Sequence, residues 1–165
     1  MHSNFKVSVS KDYLVFSSAH FITFKGHQCE SLHGHNYRVG VVAEGTVDDE
    51  TMFVVDFSII KKIVRKLTDE IDHKVLLPTK NPKLQFGGDA NTVTVAYFGK
   101  PTYLFPRGDC AMLTIQNSTA EMLAEYLAGQ MRNVLGPQGI RHLLTIDVGV
   151  EESLGHSSPY QLALD

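Results

Sequence analysis

The chain has 165 residues, 43% hydrophobic and 20% charged, with a formal net charge of −3. That length supplies a real core for a single domain, and the slight acidity gives no reason to expect a nucleic acid or an anionic membrane as partner. No apolar run approaches membrane-spanning length, the first residues lack the apolar core of a signal peptide, and Cys29 and Cys110 make no disulfide framework, so the expected setting is a reducing cytoplasm.

Residues 5–24 read as a strand, with Val7 and Val9 alternating with serines before Tyr13-Leu-Val-Phe16 leads to His20. Residues 35–46 are β-branched and aromatic enough for a second strand, and Met52–Val55 for a short third. Asp56 stands at the N-cap of a helix whose Ile59, Ile60, Ile63, Val64, Leu67 and Ile71 recur at helical spacing. Lys61, Lys62, Arg65 and Lys66 fill its opposite face, which reads as solvated. Prolines and glycines punctuate residues 77–116, leaving Thr92–Tyr97 and Thr102–Phe105 as a hairpin. Ser118 and Glu121 form a capping box for a second helix, buried through Ala120, Leu123, Ala124, Leu127, Met131 and Val134 and stopped by Gly136-Pro137. A last strand, Leu143–Val150, runs into Glu151-Glu152. The expected class is α+β: an antiparallel sheet with two helices packed on one face, the other face left for an oligomer partner.

The chemistry concentrates in Cys29-Glu-Ser-Leu-His33-Gly-His35, with His20 just upstream. His33 and His35 are two apart, so on a strand they project from one face, and His20 comes from the strand before. Three neutral imidazoles without an obvious fourth ligand suit a catalytic zinc, whose empty position receives water or substrate. Cys29 could ligate the metal, react as a thiolate, or simply be buried. Asp72-His73, at the end of the first helix, is either a proton-transfer pair or a C-capping histidine, and the dipeptide alone favours the cap. One of Glu151 and Glu152 could accept two parallel hydrogen bonds from a guanidine-like edge, although these residues alone favour a solvated strand end. His2, His27, His142 and His156 read as surface residues.

Taken together, Phe16-Ser-Ser-Ala-His20, Cys29-x-x-Leu-His33-Gly-His35-Asn-Tyr37, Val54-Val-Asp56-Phe, Ile71-Asp72-His73, Ser118-Thr-Ala-Glu121 and Val150-Glu-Glu152-Ser resemble the 6-pyruvoyl-tetrahydropterin synthase and 6-carboxytetrahydropterin synthase family. The resemblance implies the T-fold (tunnelling fold), in trimers that stack into hexamers with active sites between subunits. It implies Zn2+ on His20, His33 and His35, Cys29 as general base, and Asp72 with His73 as a proton relay. Glu152 would anchor the pterin ring and Thr119 would line its pocket, with Glu152 and the metal in different chains. The implied substrate is 7,8-dihydroneopterin triphosphate. The short Cys-x-x-Leu-His form looks like the bacterial enzymes that make 6-carboxy-5,6,7,8-tetrahydropterin, on the path to queuosine and other 7-deazaguanines. Alternatives are pyruvoyl formation by triphosphate elimination, a hydroxymethylpterin product with Glu30 as base, and an oligomeric non-enzyme whose structural zinc takes Cys29 as fourth ligand. Residues 78–116 read as an insertion longer than compact family members carry.

Overall fold

The computed structural model describes residues 4–140 and 142–164. In chain order it contains β1 (Phe5–His20), β2 (His33–Gly45), α1 (Phe57–Ile71), β3 (Val75–Pro78), β4 (Leu84–Gly88), β5 (Thr92–Tyr97), β6 (Lys100–Pro106), β7 (Cys110–Leu113), α2 (Ala120–Leu135), β8 (Leu143–Ser153) and β9 (His156–Ala163). The larger sheet has the order β7-β3-β1-β2-β8-β9. β1, β2, β8 and β9 pair antiparallel, as the sequence pattern anticipates. β3 joins β1, and β7 joins β3, in parallel, so the sheet is mixed.

Strand parity carries the histidines to the covered face. On β2 the odd positions Tyr37, Val39, Val41 and Ala43 are buried, which places His33 and His35 on that same face. On β1 the inward residues change from odd to even. Val9 pairs with Val41 and is buried, while Leu14, Phe16, Ser18 and His20 are the buried residues further on. The change occurs where the register shifts between Ser10 and Val15. A bulge adds residues to one strand only and so reverses which side chains face inward. Without that shift His20 would face away from His33 and His35.

Both helices cover this face, through one core that joins Phe16, Tyr37, Val41 and Val148 to Ile60, Ile63 and Val64 of α1 and Leu123, Leu127 and Met131 of α2. The α1 N-cap is Asp56, whose carboxylate accepts the Ser58 N–H at 2.7 Å. For α2 the expected capping box gives way to a different cap. Thr119 is the N-cap and accepts the Met122 N–H at 3.4 Å, whereas Ser118 is fully buried and donates its hydroxyl to the Phe21 carbonyl at 2.9 Å. A tertiary acceptor has claimed the side chain that would otherwise cap. Gly136-Pro137 ends the α-helix by tightening it into a 3-10 turn.

Met52–Val55 is not a strand. Asp48 folds this segment back, its carboxylate accepting the N–H groups of Glu50 and Thr51, and Met52 adopts a left-handed backbone at φ 58°. Val54 and Val55 are buried nonetheless, so their apolar character reflects core packing rather than a ladder. The sequence pattern missed β9, an edge strand whose polar Ser157-Ser158-Pro159 carries no period-two apolar signal. The predicted hairpin is β5–β6, and β4 adds to it to give a separate three-stranded sheet. That sheet has its own small core of Phe21, Leu77, Leu84, Val93 and Val95. No helix among the described residues is long and apolar enough to cross a membrane.

The ladder closes tightly around Gly45, where a Cβ would lie 2.1 Å from the His142 carbonyl oxygen, a backbone atom. Gly40, on the same strand, would meet nothing closer than 3.9 Å. Gly45→Ala is therefore expected to destabilise by about 1–3 kcal/mol or more, as overpacking does. Gly40→Ala should cost clearly less, and urea unfolding of the two variants side by side checks the order.

Candidate metal centre

The rung His20↔His33 closes the β1–β2 ladder, and His35 follows two residues into β2. The ring centroids of His20 lie 4.7 Å from those of His33 and 5.2 Å from those of His35, and His33 and His35 are 4.8 Å apart. Each imidazole offers one nitrogen, and the three lie within 4.8 Å of one another. His20 is fully buried, whereas His33 and His35 are half-buried, so the cluster opens to one side.

The hydrogen bonds fix the ring nitrogens. His20 Nδ1 lies 2.7 Å from the Ser118 carbonyl, and His33 Nδ1 lies 2.9 Å from the Ser31 carbonyl. A carbonyl only accepts, so in each ring Nδ1 carries the proton and Nε2 presents its lone pair. His20 Nε2 is buried without a hydrogen-bond partner. It faces Glu152 Oε1 at 3.2 Å, and the same oxygen is 3.4 Å from His35 Nε2. Two lone pairs confront each other there, which is unfavourable unless a proton or a metal ion lies between them. The arrangement suits a metal: converging imidazoles, backbone carbonyls orienting two of them from behind, and an orphaned buried nitrogen. Burial lowers the His20 pKa, against the raising effects of Ser118 and Glu152 and with a further lowering by the neighbouring imidazoles, and so keeps the lone pair available.

A sequence model of the family described as 6-pyruvoyl tetrahydropterin synthase matches residues 8–161. A Methanocaldococcus jannaschii protein, provisionally named 6-carboxy-5,6,7,8-tetrahydropterin synthase, is 37% identical over 152 residues, covering 92% of each chain. The chain belongs to the 6-pyruvoyl tetrahydropterin synthase family. Among solved structures, 6-pyruvoyl tetrahydropterin synthase of Plasmodium falciparum superposes with a TM-score of 0.89 at 32% identity, covering 98% of this chain and 99% of that one. The Plasmodium vivax enzyme matches with the same TM-score at 29% identity, in variants where a glutamate called a catalytic residue is replaced by cysteine or by alanine. The fold is therefore the α+β T-fold of this family.

Within that fold the residues expected at the site divide into three groups. His20, His33 and His35 lie together, and Glu152 joins them from the end of β8 in the same chain, which corrects the expectation of separate chains. Tyr37 lies beneath, its hydroxyl 3.5 Å from Glu152 Oε1, and burial together with that carboxylate raises its pKa well beyond the ordinary range. Thr119 adjoins the site through Ser118, whose carbonyl holds His20.

Cys29 points elsewhere. Its side chain packs at the edge of the smaller core, its Sγ 3.6 Å from the Glu30 carbonyl, and burial and the Glu30 carboxylate push the thiol pKa up. Glu30 is the acidic neighbour of the cluster, with Oε2 buried, unpartnered, and 3.8 Å from His33 Nδ1. Its adjacency to Cys29 was the available sequence signal.

Asp72 and His73 form the third group, where the chain leaves α1 alongside β1. Ser17 donates its backbone N–H to Asp72 Oδ1 at 2.7 Å, and its carbonyl accepts the His73 N–H at 2.7 Å. These two bonds hold His73 in a left-handed conformation, φ 55°, with its ring nitrogen Nδ1 2.8 Å from Asp72 Oδ2 and its side chain 82% exposed. Burial works against the Asp72 charge, yet the Ser17 N–H and the His73 imidazole hold its carboxyl below the ordinary range. The pair is built to present a tautomerically fixed imidazole to solvent or to another chain.

Two predictions follow from this geometry. His33→Ala, at a half-buried position, should leave the far-UV circular dichroism intact and abolish stoichiometric metal binding, as metal analysis after gel filtration would show. Because folding depresses the His20 pKa, the unfolded chain binds its proton first as pH falls. The stability contribution of neutral His20 is thus complete above about pH 6.5 and is lost as pH drops from there toward the folded-state value. Urea midpoints of metal-free protein should fall between pH 7.5 and pH 5.5, and less steeply in His20→Gln.

Proposed function

We propose that this chain is a zinc-dependent lyase that converts 7,8-dihydroneopterin triphosphate to a tetrahydropterin. The observation that carries the reading is the cluster of His20, His33 and His35 with the Glu152 carboxylate beside it. Neutral imidazoles, no thiolate among them and one open side form the donor pattern of a catalytic zinc. Bound there, zinc would supply Lewis acidity to the oxygens of the pterin side chain.

The protein's own groups then have distinct tasks. Ser118 and Ser31 orient the imidazoles, while Glu152 would receive the N–H edge of the pterin ring, with Tyr37 supporting its carboxylate and Thr119 lining the pocket. Asp72 and His73 would return protons. The exposure of His73 supports a homo-oligomer, trimer or hexamer, in which a second copy's pair completes the site. A cytoplasmic setting with a freely diffusing substrate suits this reading. We place residues 78–116, including the three-stranded sheet, as an insertion within a single domain.

The name of the Methanocaldococcus jannaschii relative supports 6-carboxy-5,6,7,8-tetrahydropterin as the product; the pathway would then be of the queuosine type, with Cys29 as the base. One observation favours a second reading. Cys29 is turned into the smaller core with a raised pKa, whereas the Glu30 carboxylate borders the histidines. The Plasmodium vivax relative also has a glutamate called catalytic. With Glu30 as base, a hydroxymethylpterin would result.

Incubating the zinc-loaded protein with 7,8-dihydroneopterin triphosphate, with products identified by mass spectrometry, tests both readings. Release of 6-carboxytetrahydropterin, at least 100-fold reduced in Cys29→Ala, establishes the first. A hydroxymethylpterin lost in Glu30→Ala and kept in Cys29→Ala establishes the second. An untouched substrate with zinc bound contradicts the lyase assignment.

A further inference from the structure

The smaller sheet packs on Phe21, the residue after His20, and one of its side chains also reaches the chain beside His33. Tyr103, on β6, lies against Phe21 with ring centroids 5.1 Å apart. Its hydroxyl accepts the backbone N–H of Leu32, the residue before His33, at 3.3 Å. The same tyrosine thus touches the chain neighbours of two of the three imidazoles, from an element outside the sheet that carries them.

The place matters because His20↔His33 is the last rung of the β1–β2 ladder. Past it the two strands diverge into residues 21–32, which hold only an isolated bridge between Thr23 and Cys29. Ladder ends fray more easily than ladder centres. A small cation, whose bonds to nitrogen are confined to about 2.0–2.1 Å, needs the strand ends that carry His20 and His33 held close together. Tyr103 is itself well held: it pairs with Val95 on β5 and stacks on Phe105 at 5.3 Å. It therefore offers a rigid surface against which both strand ends are seated.

We propose that Tyr103 is a positioning residue for the three-histidine site, clamping the open end of the β1–β2 ladder so that His20 and His33 keep the spacing needed to share a metal ion. The smaller sheet thereby tunes metal affinity rather than only decorating the fold. This inference rests on the metal reading given above.

Zinc affinity, measured by competition with a chromophoric chelator at a temperature where far-UV circular dichroism matches wild type, tests it in Tyr103→Phe, Tyr103→Leu and His33→Ala. Tyr103→Phe keeps the ring and loses the hydroxyl, and should weaken zinc roughly two- to tenfold, the range expected for one hydrogen bond. Tyr103→Leu also loses the aromatic contact with Phe21 and should weaken it further. Wild-type affinity in both variants, with zinc lost in His33→Ala, overturns the proposal. Absence of His33-dependent zinc binding in the wild-type protein would overturn the metal reading itself.

Discussion

A fully buried imidazole, His20, with one nitrogen satisfied and the other bare, is the constraint around which this structure is arranged. Its Nδ1–H is taken by the Ser118 carbonyl, just before α2, and its Nε2 is turned toward two more imidazoles and a carboxylate. An unpaired buried polar atom costs about 1–3 kcal/mol. The fold retains this one where four elements meet: the end of β1, the start of β2, the approach to α2 and the end of β8. Ser118 secures the same junction with its hydroxyl, which donates to the Phe21 carbonyl. The segment leading into α2 thus holds His20 from behind and the following residue from the side.

One strand, β1, anchors both the three-histidine cluster and the Asp72–His73 pair. Even positions of β1 beyond the bulge point under the helices and carry His20. Ser17 holds Asp72 and His73 through its backbone N–H and carbonyl.

Much of this was legible from the residues alone. The His33-Gly-His35 spacing and the parity shared with Tyr37 placed two imidazoles on a buried strand face, and the periodicity from Ile59 to Ile71 located α1 closely. Other features lay outside local pattern. Ser118 has the composition of a cap, but its hydroxyl is used by a carbonyl 97 positions away, and so the cap moved to Thr119. Val54 and Val55 are as apolar as a strand requires yet pack without a ladder partner. β9 carries too little apolar alternation to be seen without the strand it pairs with. Sequence adjacency also could not tell Cys29 from Glu30. Only the path of the loop turns the thiol into the smaller core and the carboxylate toward the histidines.

The central claim is a metal site built from three imidazoles with the Cys29 thiol outside it, and the absorption spectrum of the cobalt-substituted protein tests this most directly. The account predicts one cobalt per chain, with visible ligand-field bands and no sulfur-to-cobalt charge-transfer band. A charge-transfer band that disappears in Cys29→Ala would contradict it, making Cys29 a ligand and the centre a closed structural site.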